Sequence, residues 1–375
     1  RAMNRLVALA ALSLVACGAP QPLPPIDAGT DAGSIPAPDA GSPCDGEQEC
    51  RIGWVAAPDH PAAVDHHSTF IAQSAAGTFL YVAGGVDNST PVKTYDTVRR
   101  APIGADGSLG AWVEGTKLPI PLGFHATAQR GRHVYLLAGV SADAQGPFAH
   151  DRSLIGTVQD DGDITWVENP NRLRAGFLHG TASIIGDTLY MLGGTGQSGP
   201  QSIVKHAPLQ ADGTLGPWVD GPSLPLQRSH HVAVVRDGHI FLLGGFDTGN
   251  YPIADVVRSV FDANGMLTGW VLAGEIDSSP WTSAGVVYKE HVFLIGGGEG
   301  GPGQERYVNR VRRARFYPNL TLSPFVDIDT LPAERAHVHQ APVFEDHVYS
   351  VGGRTPDALQ SFARVFVGKI GGRSE

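Results

Sequence analysis

The stretch LPLQRSHHVAVVRDGHIFLLGG, residues 224–245, decides the fold. Two apolar runs rich in β-branched residues, 232–235 and 239–243, flank Arg236-Asp237-Gly238, and turn residues between such runs predict a β-hairpin. Both runs are mostly apolar rather than alternating, which is typical of strands that are buried on both faces. We therefore expect this hairpin to lie inside a stack of sheets.

The ending of this stretch recurs along the chain. An aromatic residue, two mostly apolar residues and a diglycine (Ala-Gly in the second copy) occur six times: YVAGG at 81–85, YLLAG at 135–139, YMLGG at 190–194, FLLGG at 241–245, FLIGG at 293–297 and YSVGG at 349–353. A second marker keeps step with it: Trp54, Trp112, Trp166, Trp218 and Trp270, with Phe325 in the sixth place. The intervals between these markers are 58, 54, 52, 52 and 55 residues. The chain therefore contains six copies of one unit.

These two markers in register resemble the kelch repeat, whose period is about 50 residues. The resemblance covers residues 51–375 and implies an all-β, six-bladed kelch-like β-propeller with four antiparallel strands per blade. One four-stranded sheet cannot bury both faces alone, whereas six sheets in a ring can. The strand around Trp54 precedes the first complete unit, and the last unit ends after three strands. We expect this N-terminal strand to close the ring within the last blade.

Composition supports this fold class and excludes one class of partner. The chain has 375 residues with 48 Gly and 28 Pro, and only 17% are charged, which favours an all-β protein. The formal net charge is -10. Nucleic-acid binding is not expected, because phosphate contacts need a basic face.

The N-terminus resembles a bacterial lipoprotein signal peptide, residues 1–17. The apolar run LVALAALSLVA at 6–16 is too short to span a bilayer, where about 20 residues are needed. Leu-Val-Ala-Cys resembles the lipobox, which implies lipidation of Cys17, and Gly18 after it implies the outer membrane, on its periplasmic or cell-surface side. A plain cleaved signal with an unrelated cysteine is the alternative.

Residues 18–50 predict a tether, because they are rich in Pro and in repeated Asp-Ala-Gly. Cys44 and Cys50 are left as an even pair once Cys17 is assigned to lipid. In an oxidising compartment they are expected to form a disulfide, since two thiols alone make a poor zinc site.

Candidate ligand-binding residues lie in the loops that lead into the first strand of each unit. In kelch-like propellers these lead-in loops and the loops after the diglycines open on the same face. The candidates in the lead-in loops are Asp65, His67, His125, His179, Arg228, His231, Trp281, Arg335 and His339. The loops after the diglycines add Asp87, Asn88, Asp247, Tyr251, Glu299, Arg306 and Arg354 as residues that line the same mouth or are ordinary loop residues.

Three interpretations of the histidines remain open. They bond neighbouring backbone as structural residues, or they help a mouth to hold a polar or anionic small molecule or peptide. The third is a zinc or copper site with Asp65 or Glu334. The sequence does not show three rings that converge, so no metal ligand and no cofactor are assigned.

The expected function is a binding module. The chain contains no GxSxG elbow, P-loop, dinucleotide fingerprint or HExxH, so no catalytic residue is assigned. We expect a tethered module that recognises a polar ligand, a glycan or a protein partner at the propeller mouth, with membrane contact through the lipid alone. At the level of fold the chain also resembles the periplasmic kelch-type sialic acid mutarotases, so a sugar mutarotase or epimerase is an alternative. A metal-binding propeller and a purely structural role are the others.

Overall fold

The computed structural model describes residues 50–88, 92–143, 146–356 and 360–371. Every regular element within these ranges is a β-strand. The same ranges hold no helix that is long and apolar enough to cross a membrane. The predicted signal peptide with Cys17, the tether up to residue 49 and Cys44 lie outside the described residues. The lipid anchor and the disulfide therefore stay predictions.

The hairpin of the opening stretch has the predicted form. Its strands, Val232–Arg236 and His239–Leu243, pair antiparallel, with Val232 opposite Leu243. Asp237 and Gly238 between them have positive φ angles of 48° and 75°, as a two-residue type I′ turn requires. Residues 240–243 are fully buried, so this strand lies between sheets as expected.

Six four-stranded antiparallel sheets form the blades of a propeller. The first strands of blades I to V pack against one another in chain order around the axis. Blades I and II contain Ser68–Ser74, Gly77–Ala83, Val98–Pro102 and Val113–Glu114, then Ala126–Arg130, His133–Leu137, Ser153–Val158 and Ile164–Glu168. Blades III and IV contain Thr181–Ile185, Thr188–Leu192, Val204–Pro208 and Val219–Asp220, then Val232–Arg236, His239–Leu243, Asp255–Phe261 and Leu267–Glu275. Blades V and VI contain Ala284–Tyr288, His291–Ile295, Arg310–Arg315 and Val326–Thr330, then Val343–Phe344, His347–Val351, Val365–Ile370 and Ile52–Ala57.

The N-terminal strand closes the ring, as the sequence predicts. Ile52–Ala57 pairs antiparallel with Val365–Ile370 and forms the outer strand of blade VI. Trp54 lies opposite Gly368 in this register, and a Cβ on that glycine would come within 2.8 Å of the indole ring. Blade VI therefore holds both ends of the described chain, and its strand Val365–Ile370 is paired on both edges.

The hydrophobic core is divided among the joints between neighbouring blades. Each of the six joints has its own cluster of buried apolar residues, and each cluster contains or packs against one of the repeated aromatic residues: Trp54, Trp112, Trp166, Trp218, Trp270 and Phe325. The repeated aromatic marker therefore fills the space between blades.

The diglycine also connects neighbouring blades through a backbone hydrogen bond. The backbone N–H of Gly245 in blade IV donates to the carbonyl oxygen of Pro280, which leads into blade V, at 2.9 Å. Gly245 has a φ of 96°, and a Cβ there would lie 2.5 Å from the Ser229 carbonyl oxygen. The second glycine of every unit makes the equivalent bond to the next blade: Gly85 to Leu122, Gly139 to Phe177, Gly194 to Arg228, Gly297 to Arg335 and Gly353 to Val64. Glycine is required here by both backbone conformation and close approach.

Small hairpins follow the diglycines and form a collar on the face of the lead-in loops. The collar was not predicted from the sequence, because its strands are mostly two residues long. Its paired strands are Val86–Asp87 with Lys93–Thr94, Val140–Asp143 with Gly146–Ala149, Thr195–Gly196 with Gly199–Pro200 and Gly298–Glu299 with Arg306–Tyr307. Single bridges, Phe246 to Pro252 and Arg354 to Ser361, replace them in blades IV and VI.

Candidate functional site

Six equivalent residues, one per lead-in loop, surround the propeller axis. All have positive φ angles, between 49° and 62°. The N–H of His66 donates to the carbonyl oxygen of His337 at 3.2 Å, and the same bond recurs at further joints over distances of 2.9–3.1 Å. We call these residues the axial ring: His66, Phe124, His179, His230, Thr282 and His337. The left-handed backbone of each loop is what allows this head-to-tail chain of bonds to form around the axis.

The side chains of the axial ring pack together at the axis. The ring centroid of His66 lies 4.2 Å from that of Phe124, 5.1 Å from that of His179 and 4.3 Å from that of His337. His179 and His230 stack face to face at 3.7 Å. Two groups of three histidines have ring nitrogens within 4.8 Å of one another: His66 with His179 and His230, and His66 with His337 and His339. The structure therefore places the predicted His179 and His339 at the axis beside three histidines that were not in the candidate set.

Burial keeps these imidazoles neutral. It lowers the pKa of His230 to about 3 and that of His339 to about 4. It also lowers the pKa values of His66, His179 and His337 well below 6.5. Each ring therefore offers an uncharged nitrogen lone pair at physiological pH.

Asp65 orients one of these histidines instead of facing a mouth. It is completely buried, and Nδ1 of His66 donates to its carboxylate. Arg354 donates to both carboxylate oxygens, at 3.0 and 3.3 Å, and the Ser361 hydroxyl donates at 2.5 Å. The carboxylate is thus fully engaged, and it fixes the ring of His66 with Nε2 turned away from it.

His67, His125 and His231 belong to the blade joints. Each follows the residue of the axial ring in its own loop and is buried. The hydroxyl of Ser68 hydrogen-bonds Nε2 of His125 at 2.6 Å, and Thr181 bonds Nε2 of His231 at 2.8 Å. Burial lowers the pKa of His67 and of His125 to about 3. A structural role fits His125 and His231, although their partners are hydroxyl groups and not backbone. His67 is buried in the equivalent position, and neither of its ring nitrogens has a hydrogen-bond partner among the described residues.

Arg228 and Arg335 also lie between blades. They occupy positions that carry Val64, Leu122, Phe177 and Pro280 in the other units. Arg228 donates to Asp255 at 2.6 Å. Arg335 donates to Ser350 at 2.8 Å and packs its guanidinium on Phe362 and Phe366, and burial lowers its pKa to about 9. Both arginines are fully buried and do not face a common cavity with His231.

Trp281 lies beneath the collar. It is buried, its indole N–H donates to the carbonyl oxygen of Gly300 at 3.2 Å, and its ring packs on Phe246 and Tyr307. It therefore supports the collar hairpins of blades IV and V and is not an exposed platform for a ligand.

A cleft opens between those two collar hairpins. Its volume is about 310 Å³, and it is lined by Pro252, Ser278, Ser279, Glu299, Gly300, Gln304 and Arg306. The Arg306 side chain is 67% exposed, and the nearby Tyr251 is 62% exposed. Tyr251 lies beside the blade V hairpin, because a Cβ on Gly301 would be 3.6 Å from its ring. The cleft thus combines an exposed cation with polar groups, and the exposed ring of Tyr251 lies next to its lining residue Pro252 in the chain.

Glu299 is the electrostatic centre of the cleft. Its buried carboxylate accepts from Arg306 at 2.9 Å, from Arg310 at 2.6 Å and from Ser278 at 2.9 Å, and Arg312 lies 3.8 Å away. Burial raises the pKa of Glu299, but the bonds from Ser278 and Arg306 outweigh it, so the net pKa lies below its usual value. An ionised Glu299 therefore holds the guanidinium groups around it in place. Two of these arginines belong to the basic run RVRRAR at 310–315, a signal that the sequence prediction did not use.

A second groove of about 450 Å³ lies at the opposite end of the blades, between blades VI and I. It is lined by Gly53, Val55, Ala56, Ala57, Pro58, Asp106, Gly107, Ser108, Leu109, His347, Val367 and Lys369. Its walls are the outer strand of blade VI and the turn at residues 106–109 of blade I. Among the described residues, no ion pair joins the two blades across this groove.

Two similarities to known proteins bear on the fold. No protein-family model matches the chain. Beta-scruin of Limulus polyphemus, a kelch-repeat protein, is 21% identical over 302 residues, which are 80% of this chain and 32% of Beta-scruin. The solved structure of YjhT aligns with 82% of this chain and 95% of its own, at a TM-score of 0.65 and 11% identity. The chain thus spans about a third of the length of this curated relative.

The fold is a kelch-type propeller. Its six blades, its joint-filling aromatic residues and its diglycines agree with the resemblance in the sequence. In this kelch-type propeller the candidate residues of the lead-in loops divide into three sets: those at the axis, those in blade joints, and Trp281 beneath the collar. The cleft draws mainly on the loops after the diglycines.

Proposed function

We propose that this kelch-type propeller is a binding module that takes a small acidic saccharide in the cleft between the collar hairpins of blades IV and V. One observation carries the proposal: the exposed guanidinium of Arg306 is held inside a cleft by a buried, ionised carboxylate, Glu299. A cation fixed in this way is prepared for an anionic ligand, because little side-chain freedom is lost on binding.

The other groups of the cleft suit the rest of such a ligand. The volume of about 310 Å³ is at the lower end of the range of small-molecule sites, so it fits one sugar unit. Gln304 and Ser279 offer hydrogen bonds to hydroxyl groups. The ring of Tyr251 offers an apolar face against which a pyranose can lie.

Binding fits the electrostatics better than acid catalysis. A general acid needs a pKa near the working pH, whereas the pKa of Glu299 is held below its usual value by Ser278 and the arginines. Its contacts position Arg306 and Arg310. We therefore assign Glu299 a positioning role.

The predicted setting agrees with a recognition function. A lipid on Cys17 followed by a Pro-rich tether would hold the propeller near a membrane, and we propose the outer membrane, on its periplasmic or cell-surface side. A module held there meets saccharides of the envelope or of the surroundings.

Calorimetric titration with two matched sugars tests the proposal. Galacturonate and galactose share the ring and hydroxyl pattern around it, and differ in the carboxylate. We expect galacturonate to bind and Arg306→Gln to weaken its binding by about 10- to 100-fold, because a charge-assisted bond contributes about 1.5–3 kcal/mol. Tyr251→Ala should weaken both sugars.

Arg315→Gln is the control, since Arg315 is exposed at the far end of the same blade. It should leave the affinity for galacturonate unchanged. Equal affinity for the two sugars in the wild type, or equal losses in Arg306→Gln and Arg315→Gln, would remove the basis of the proposal.

A further inference from the structure

The joint between blades VI and I differs from the joints that follow blades I and III. In blades I and III the second residue after the axial ring is Ser68 or Thr181, and its hydroxyl bonds the histidine of the following blade, His125 or His231. In blade VI this position holds His339, and the histidine that follows it around the ring is His67. Blades II, IV and V carry Ala126, Val232 and Ala284 at this position. Where the joints after blades I and III pair a hydroxyl with an imidazole, the joint after blade VI brings imidazoles together.

The imidazoles at this joint have unused nitrogens. Among the described residues, no hydrogen-bond partner exists for Nε2 of His66, Nδ1 of His337 or Nε2 of His339. A buried ring nitrogen without a partner is costly, so such atoms call for an explanation. Here three such nitrogens belong to one group of residues, whose ligand atoms lie within 4.8 Å of one another. A single partner shared by the three residues would explain them.

We propose that His66, His337 and His339 form a binding site for a divalent transition-metal ion of the zinc type. Imidazole nitrogens are preferred ligands of such ions, at about 2.0–2.1 Å, and three of them leave a fourth tetrahedral position for water. The ligand atoms of the three residues lie within 4.8 Å of one another. Modest rotation of the side chains would bring each nitrogen to about 2.0–2.1 Å from a common ion.

The opposite nitrogen of two of these rings is already fixed. Nδ1 of His66 donates to Asp65, and Nε2 of His337 lies 3.1 Å from the hydroxyl of Tyr307. Metal-binding histidines commonly have such a partner on the other nitrogen, and it sets the tautomer and the orientation of the ring. Asp65 also pairs with Arg354, so that the cation nearest the site is neutralised.

The second group of histidines suits an ion less well. His179 and His230 stack face to face at 3.7 Å with an angle of 27° between their planes. An ion in the plane of one ring would then lie well out of the plane of the other. The rings of His337 and His339 are tilted by 39° and 41° to His66, which lets their nitrogens converge.

Zinc titration of the chelator-treated full chain tests this site. We expect one Zn²⁺ per chain, no comparable binding of Mg²⁺, which prefers oxygen ligands, and a tetrahedral visible spectrum when Co²⁺ replaces zinc. His339→Ser restores the residue type of blade I and should lower the affinity for Zn²⁺ by at least tenfold. His206→Ser, in a half-buried histidine of a blade III strand, is the control and should change nothing.

Tyr307→Phe provides a second, milder test that does not depend on the folding of the first variant. It removes the hydroxyl beside His337 and should lower the affinity about 10- to 100-fold, whereas Tyr135→Phe, which removes a hydroxyl bonded to Gly213, should not. The proposal would be overturned if the wild-type chain binds no Zn²⁺. It would also be overturned if His339→Ser and Tyr307→Phe both bind Zn²⁺ with the affinity of the wild type.

Discussion

The hydroxyl of Tyr349 in blade VI donates a hydrogen bond of 2.8 Å to the carbonyl oxygen of Gly107 in blade I. Tyr81 and Tyr135 make the same bond to Gly162 and Gly213 of the blades that follow them. The aromatic residue of the repeated motif therefore links each of these blades to a turn of the next. At the closure this bond adds to the strand pairing of blade VI.

Tyr349→Phe should destabilise the propeller by about 1–3 kcal/mol, because it leaves the buried carbonyl of Gly107 without its donor. Urea unfolding measures the change. Tyr317→Phe, in a partly exposed residue, is the control and should lie within about 0.5 kcal/mol of wild type. Equal effects of the two changes would show that the bond at the closure contributes nothing.

Two glycines of the opening hairpin unit should respond differently to alanine. Gly238→Ala places a Cβ in open space at a φ of 75° and should cost about 1–2 kcal/mol. Gly245→Ala places it against Ser229 and His231 at a φ of 96°. Overpacking should add about 1–3 kcal/mol to the conformational cost. Thermal unfolding of both variants checks the order, and a Gly245→Ala protein as stable as Gly238→Ala would contradict the account of the diglycine.

Acid should destabilise the fold through histidines that lie away from the axis. Burial lowers the pKa of His60 to about 4 and that of His125 to about 3. Between these values and 6.5 the unfolded chain binds a proton that the folded chain does not, so stability is full above about pH 6.5 and falls as the pH falls. The slope reaches about 1.4 kcal/mol per pH unit for each histidine.

Unfolding free energies measured from about pH 7.5 to 4.5 test this dependence on either side of the histidine pKa. In the double variant His60→Phe and His125→Gln the decline should be shallower, since neither replacement titrates. Parallel curves for wild type and variant would mean that other groups account for the acid sensitivity.

Membrane attachment should depend on Cys17. The lipobox resemblance predicts that Cys17→Ser abolishes incorporation of labelled fatty acid and releases a folded, soluble propeller. Cell fractionation and lipid labelling measure both effects, with Cys44→Ser as the control that keeps the lipid. Unchanged membrane fractionation of Cys17→Ser would contradict the anchor.

The sequence predicted the architecture because the architecture repeats. One Trp or Phe per joint and one diglycine per blade are requirements of packing, so they recur at a fixed period and can be recognised without the structure. Ring closure by the strand of Trp54 followed from the order of strands alone. Bonds between short strands leave no comparable pattern, and the collar hairpins were missed for that reason.

The sites were harder to predict because they depend on joints between units. Arg228 and Arg335 were expected at the mouth, yet their positions carry apolar residues in the other blades. Asp255 and a pair of phenylalanines stabilise them there. The cleft gathers residues near 252, 279 and 299–306, which only the packing of blade IV on blade V brings together.

A crystal structure of the propeller with galacturonate tests the central claim most directly. The account predicts that the sugar lies in the cleft between blades IV and V, with its carboxylate about 2.7–2.9 Å from the guanidinium nitrogens of Arg306 and its ring beside Tyr251. Galacturonate bound in the groove between blades VI and I, or an empty cleft at a concentration that saturates binding in solution, would contradict it.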